Sequence, residues 1–237
     1  MNYAAKIDSV IYAQESERAA FMRRTYMHLA MAVLAFIVIE YFLLQLPFAG
    51  AIAQTMVGSL AGFSWLIVLG AFMGVSWLAQ RWAESDTSIE KQYMGLGLYI
   101  VAQAIIFLPL LYRAANFASA DVIPTAGVIT SFLFAGLTAT VLITRKDFSW
   151  MRSILTIGGF IALGLIVASI FFGFSLGIIF SGAMILFASG AILYDTSNVL
   201  HHYRTDQHVA ASLSLFASVA LLFWYILRFF MSLSSDD

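Results

Sequence analysis

Long apolar runs, broken at intervals by short polar or helix-ending stretches, set the pattern of this chain. A helix needs ~20 mostly apolar residues to cross the hydrocarbon core of a bilayer. Seven segments meet that requirement: 26–46, 61–80, 94–113, 125–144, 153–172, 175–197 and 210–233. Pro47 and the pair Ala49-Gly50 end the first, and the charged stretch from Arg81 to Lys91 separates the second from the third. Pro124 stands where the fourth begins, a place where proline is tolerated because first-turn N–H groups have no intrahelical partner. Arg145-Lys146-Asp147 parts the fourth from the fifth. Between the fifth and sixth only Gly173 can form a turn, so that hairpin is predicted to be tight. The pattern therefore predicts an all-α, polytopic bundle of seven transmembrane helices. It divides into a polar N-terminal tail (1–25), a membrane domain (26–233) and a short C-terminal tail (234–237). The loops leave no room for a soluble catalytic module.

Composition narrows the class further. Hydrophobic residues make up 62% of the 237 and charged residues 11%, against ~25% charged in an average soluble domain. No soluble fold of this size hides so much apolar surface. The net charge of -1 and the lack of a basic block argue against nucleic acid as a partner. With no cysteine there is no disulfide and no thiolate metal site. Residues 1–25 carry no apolar stretch of signal-peptide type, so the tail reads as cytosolic and retained.

Charge also orients the bundle. With the N-terminus in the cytosol, Lys6, Arg18, Arg23, Arg24, Arg81, Lys91, Arg145, Lys146, Arg152 and Arg204 all fall inside, and only Arg113 and Arg228 fall outside. Ten of twelve basic residues then obey the positive-inside rule.

Candidate chemistry sits where polarity is costly, at membrane depth. Asp195 lies near the cytosolic end of the sixth span, and is read either as an ion-pathway or pH-sensing carboxylate or as a helix-end group reaching interfacial water. Glu40 and Arg228 come out at comparable depth past the midplane in the first and seventh spans, which predicts an intramembrane charge pair between them. His28 and Gln103 read as satisfied packing or interfacial groups. His201, His202 and His208 read as a solvated linker rather than a metal site, since zinc needs three or four convergent ligands. No P-loop, HExxH or GxSxG is present. Tyr194-Asp195 is similar to one half of an intramembrane aspartyl protease, but the partner GxGD is missing. The expectation is a protein that is not an enzyme and takes no cofactor.

Seven spans without a soluble domain, together with Gly190-x-Ile-Leu-Tyr-Asp-Thr196, resemble the Bax inhibitor-1 (TMBIM) family over most of the chain. Gly95-Leu-Gly-Leu-Tyr99 followed by Ile106-Phe-Leu-Pro-Leu110 resembles its bacterial YccA-like branch, and Leu222-Phe223 with Leu227-Arg228 also fits. The resemblance implies a bundle with the last helix near its centre and a pH-sensitive leak for Ca²⁺ or another cation. It also implies a paired aspartate on the sixth and seventh spans and a basic latch on the second. The first aspartate falls on Asp195. The second position is Ser218 here, and Arg81 is the candidate latch. One carboxylate opposite a serine has no coupled titration, so a latch is expected to open only at lower pH than in two-aspartate relatives. The YccA-like branch implies a second function class, modulation of an FtsH-type membrane protease through the N-terminal tail, and a bacterial inner membrane as the location.

Overall fold

A computed structural model describes residues 10–58, 63–85 and 88–234. Residues 1–9 of the expected tail, the start of the expected second span and 235–237 lie outside the described residues. A single 3₁₀ turn, Val10–Tyr12, precedes eight α-helices in the described chain: α1 Glu15–Gln45, α2 Ala49–Gly58, α3 Phe63–Ala83, α4 Ile89–Phe117, α5 Val122–Thr144, α6 Met151–Phe172, α7 Gly177–His201 and α8 His208–Ser234. All but α2 are long and apolar enough to span a membrane. No strand occurs among the described residues.

In hydrocarbon only a helix satisfies its own backbone, which is why every long apolar run takes this form. Several hydroxyls within the spans follow the same rule. Thr130 and Ser189 donate to the carbonyls four residues back, at 2.7 and 2.8 Å. Helix ends fall where local chemistry permits. Ser88 caps α4 by accepting from the Lys91 N–H. Gly173 takes φ 71° and closes α6, its N–H donating to Ser169 O at 2.9 Å. That positive φ suits glycine, and the hairpin to α7 is as tight as the sequence predicts.

Two boundaries differ from expectation. α1 starts at Glu15, so residues 15–25 continue the first span as helix, and Phe21 and Thr25 are buried. The segment after Pro47, expected to be a connector, forms the short helix α2. It packs on α4, with Gly50 lying directly against the Tyr112 ring.

α4 and α8 form the centre. Their most apolar stretches are 61% and 67% buried within the protein, while no other span exceeds 28%. α1 lies across both, α3 packs on α4, α7 on α8, and α5 on α7 and α8; α6 packs chiefly on α7. Phe107 of α4 ties three of these together. Its ring meets Phe36 of α1 edge-on at 5.1 Å and Trp224 of α8 at 4.9 Å. Such aromatic edges add ~0.5–1.5 kcal/mol beyond area burial.

The α3–α4 contact depends on one residue. A Cβ at Gly95 would stand 2.5 Å from the Ala79 carbonyl oxygen and 2.6 Å from the Ala83 nitrogen, both backbone atoms of α3. Gly97, two residues on, faces open space. Gly95→Ala is therefore expected to cost about 1–3 kcal/mol through overpacking. Gly97→Ala is expected to be neutral or slightly stabilising, since alanine is the better helix former. Thermal unfolding of the two variants in detergent separates them, and equal melting temperatures would contradict the close approach.

Candidate functional site

The structure brings Asp195 and Ser218 together. They lie on the antiparallel neighbours α7 and α8, and Ser218 Oγ donates to Asp195 Oδ2 at 2.5 Å. Ser218 is buried and Asp195 partly so. Tyr99 of α4 and Tyr203, in the loop between α7 and α8, both lie within electrostatic reach of the Asp195 carboxylate.

Ser218 is also part of a cleft wall. A cleft of about 470 Å³ runs between α3, α4, α6 and α8, lined among others by Tyr99, Gln103, Phe107, Ser218, Trp224 and Arg228. Gln103 is buried with its Oε1 unpartnered. This is not the satisfied packing group expected from the sequence, and its free acceptor belongs to the cleft wall. From Ser218 to Arg228 is ten residues of α8, or ~15 Å at 1.5 Å per residue. The cleft thus reaches from the Asp195–Ser218 pair toward the end of the bundle opposite the N-terminus. There it adjoins a second cavity of about 420 Å³, with Trp65, Trp224 and Arg228 lining both.

Toward the N-terminal end the pair is covered. The Tyr203 hydroxyl is hydrogen-bonded to Ser214 Oγ at 2.9 Å, one turn of α8 before Ser218. Burial pushes the Tyr203 phenol up to about 12; Ser214 opposes this, while the charges of Asp195, Glu84 and Tyr194 add to it. The phenol therefore stays neutral across the physiological range. The loop that carries it is fastened from two directions. The Val10 N–H donates to the Tyr203 carbonyl at 2.9 Å, and the Val10 side chain is buried. Gln207 Oε1 accepts from the Arg204 N–H at 3.1 Å.

Other sequence-predicted residues fall elsewhere. Arg81 is exposed at the end of α3, its guanidinium 4.9 Å from the centre of the Trp77 ring. It makes no ion pair with Asp195. The expected Glu40–Arg228 pair is not formed. Glu40 ends the buried stripe of α1 (Phe21, Thr25, Leu29, Ala32, Phe36, Glu40), and neither carboxylate oxygen has a partner. Arg228 shares the face of α8 that presents Trp224 toward α3 and α4. α1 meets α8 at Phe216, against Phe36. At 100° per residue Arg228 is rotated ~120° from Phe216, so equal depth does not bring the two charges face to face.

The histidines also divide. His201 and His202 end α7, and His202 Nε2 lies 3.5 Å from Asp147 Oδ1 in the α5–α6 loop. Burial alone pushes the Asp147 carboxyl up, but the Ser149 hydrogen bonds and the His202 imidazole outweigh it and hold the group below its ordinary 3.8. His208 is not on a solvated linker. It is buried at the start of α8, its ring 5.0 Å from that of His28 on α1. His28 is in turn hydrogen-bonded to Tyr93 of α4 at 2.8 Å. A residue one position before a long apolar run reads as linker, and only the fold shows it packed. Among the described residues no three histidine, aspartate or glutamate side chains converge as metal ligands.

Comparison with known proteins agrees with this architecture. The family model described as Inhibitor of apoptosis-promoting Bax1 matches residues 18–235. An uncharacterised protein of Pseudomonas aeruginosa is 30% identical over 232 residues, covering 95% of each chain. The protein named Modulator of FtsH protease YccA, from Escherichia coli, is 32% identical over 200 residues, covering 83% of this chain and 89% of its own. Bax inhibitor 1 of Schizosaccharomyces pombe is 29% identical over 181 residues, covering 73% of this chain and 64% of its own. A seven-span bundle with its last helix most buried, matched by the family model over nearly its whole length, belongs to the Bax inhibitor-1 family.

Proposed function

We propose that this membrane protein is a gated cation pathway, with Ca²⁺ as the candidate ion, in which Asp195 is the pH-sensing gate group. The N-terminal end then faces the cytosol of a bacterial cell and the bundle sits in its inner membrane. The observation that carries this reading is the hydrogen bond to Asp195 from Ser218, which lines a cleft leading to the opposite end of the bundle. A carboxylate behind Ser218 is an acidic group that a cation passing from cleft to loop would meet. Tyr203 supports the reading as a plug, lying within reach of both Asp195 and Glu84. In a closed state Ser218 and Tyr203 hold Asp195 away from the cytosol; release of the loop opens the path. Arg81 takes no part in this scheme, since it lies exposed over the Trp77 ring and makes no ion pair with Asp195.

A single carboxylate has a plain kinetic signature. One proton governs the gate, so leak varies at most tenfold per pH unit, whereas a coupled pair can exceed that. Full-length protein in Ca²⁺-loaded liposomes is expected to show this shallow profile. Asp195→Asn is expected to abolish the pH dependence, and Ser218→Asp to steepen it. Equal leak by wild type and Asp195→Asn at every pH would sink the sensor.

A second reading is favoured by the docked N-terminal segment and by the name of the Escherichia coli relative. Here the chain modulates an FtsH-type membrane protease, which grips the tail preceding Val10. Deleting residues 1–8 leaves Val10 to hold the loop. Co-purification with the protease is then expected to drop at least tenfold while the Ca²⁺ profile is kept. Association that is absent in both forms, or equal in both, would remove this reading.

A further inference from the structure

Arg113 and Arg228 stand out as two guanidiniums that line one cavity with no acid to balance them among the described residues. The cavity, about 420 Å³, lies between the far ends of α3, α4 and α8. Arg113 is exposed on α4, five residues from its end at Phe117 counting both; Arg228 is partly buried on α8. Neither forms an ion pair among the described residues. The acid that sequence depth would assign to Arg228, Glu40, is on another face. An arginine this far into a spanning helix is costly without a counter-charge. Two of them lining one cavity also repel each other, and more strongly at the low dielectric of a membrane site than in water.

The rest of the lining has the opposite character. Trp65 and Trp224 face one another with centroids 6.1 Å apart and planes 16° from parallel. Both belong also to the adjoining cleft, whose further walls include Leu69, Phe72, Ile106 and Ile170. A basic head site thus opens onto an apolar slot more than 400 Å³ in volume. Guanidinium forks match phosphate oxygens bidentately, and indoles favour the level of lipid headgroups.

We propose that this cavity is a binding site for an anionic phospholipid, its phosphate held between Arg113 and Arg228 and an acyl chain laid along the Trp65–Trp224 slot. The lipid comes from the leaflet at the end of the bundle opposite the N-terminus. The occupant supplies the missing counter-charge, and its chain fills an apolar space that a free phosphate ion would leave empty. The acyl chain would share the cleft whose wall carries Ser218, so lipid and a permeating cation compete for that space, but the lipid site is defined by Arg113, Arg228 and the two indoles and not by the role of Asp195.

Bilayer nanodiscs of phosphatidylcholine doped with dibromo-acyl phosphatidylglycerol test it, because bromine quenches a nearby indole. Full-length protein is compared with Trp224→Phe and Trp65→Phe to identify the signal from this site. Quenching of Trp65 and Trp224 is expected to saturate at a phosphatidylglycerol fraction about tenfold below that needed for dibromo-acyl phosphatidylcholine. Arg113→Gln and Arg228→Gln are each expected to erase most of that preference, and Arg113→Lys and Arg228→Lys to retain part of it. Arg113 is exposed, so its glutamine variant folds even if that of Arg228 does not. Inorganic phosphate, added as a second probe in neutral nanodiscs, is expected to leave the melting temperature unchanged at 1 mM, a concentration of roughly the weakest Kd worth calling specific. Equal quenching by both lipids, or a preference that survives Arg113→Gln, would overturn the proposal. Stabilisation by phosphate ion without lipid preference would overturn the lipid as occupant.

Discussion

A polar atom in hydrocarbon has no water to bond to, and this one constraint organises the protein. It makes every long segment a helix. It turns Thr130 and Ser189 back onto their own backbones. It also makes the exceptions informative, because each polar side chain that keeps an open valence must face a partner, a cavity or its own neutralisation. Asp195 meets Ser218. Gln103 and Arg228 face the cleft. Neither carboxylate oxygen of Glu40 has a hydrogen-bond partner among the described residues, which makes it a costly polar group to keep buried in the bundle.

The site follows from how the two central helices are dressed. α8 presents Phe216 to α1, Trp224 to α3 and α4, and Ser218 to α7, so a single helix touches the gate pair, the cleft and the basic cavity. Gly95 matters at a distance for the same reason. It lets α3 lie on the α4 backbone, which sets where Trp65 stands relative to Trp224. Small side chains do similar work at the periphery, where Gly158 accepts the Phe187 ring and Gly190 faces Met151, seating α6 on α7.

Much of this was legible from residues alone. Span number and order follow from apolar run length, and the tight α6–α7 hairpin from Gly173. The approach of Asp195 to Ser218 was available only through resemblance to a family, since two residues 23 apart on different helices have no shared periodicity. Depth was readable but azimuth was not: Glu40 and Arg228 stand at matching heights on faces that do not meet. The same limit applies to Arg81, whose position at a helix end says nothing of which way its guanidinium turns. His208 was misplaced for a different reason, because the burial of a helix's first residue is decided by the neighbour it packs on, here His28 of α1. The α2 helix escaped because ten residues are too few for a span and its packing on α4 leaves no pattern in the connector.

The burial of α8 bears on how the molecule is made. The most enclosed span follows all the others along the chain, and α1, α4, α5 and α7 all rest on it. The earlier helices can enter the bilayer one after another and pair locally, α1 and α3 on α4 and α5 on α7, but these two groups are joined chiefly through α8. Insertion and final packing are therefore separate events, and until α8 arrives Phe36 lacks Phe216, Phe107 lacks Trp224 and Asp195 lacks Ser218. A bundle arranged in this way joins its two halves only when its most buried span is in place.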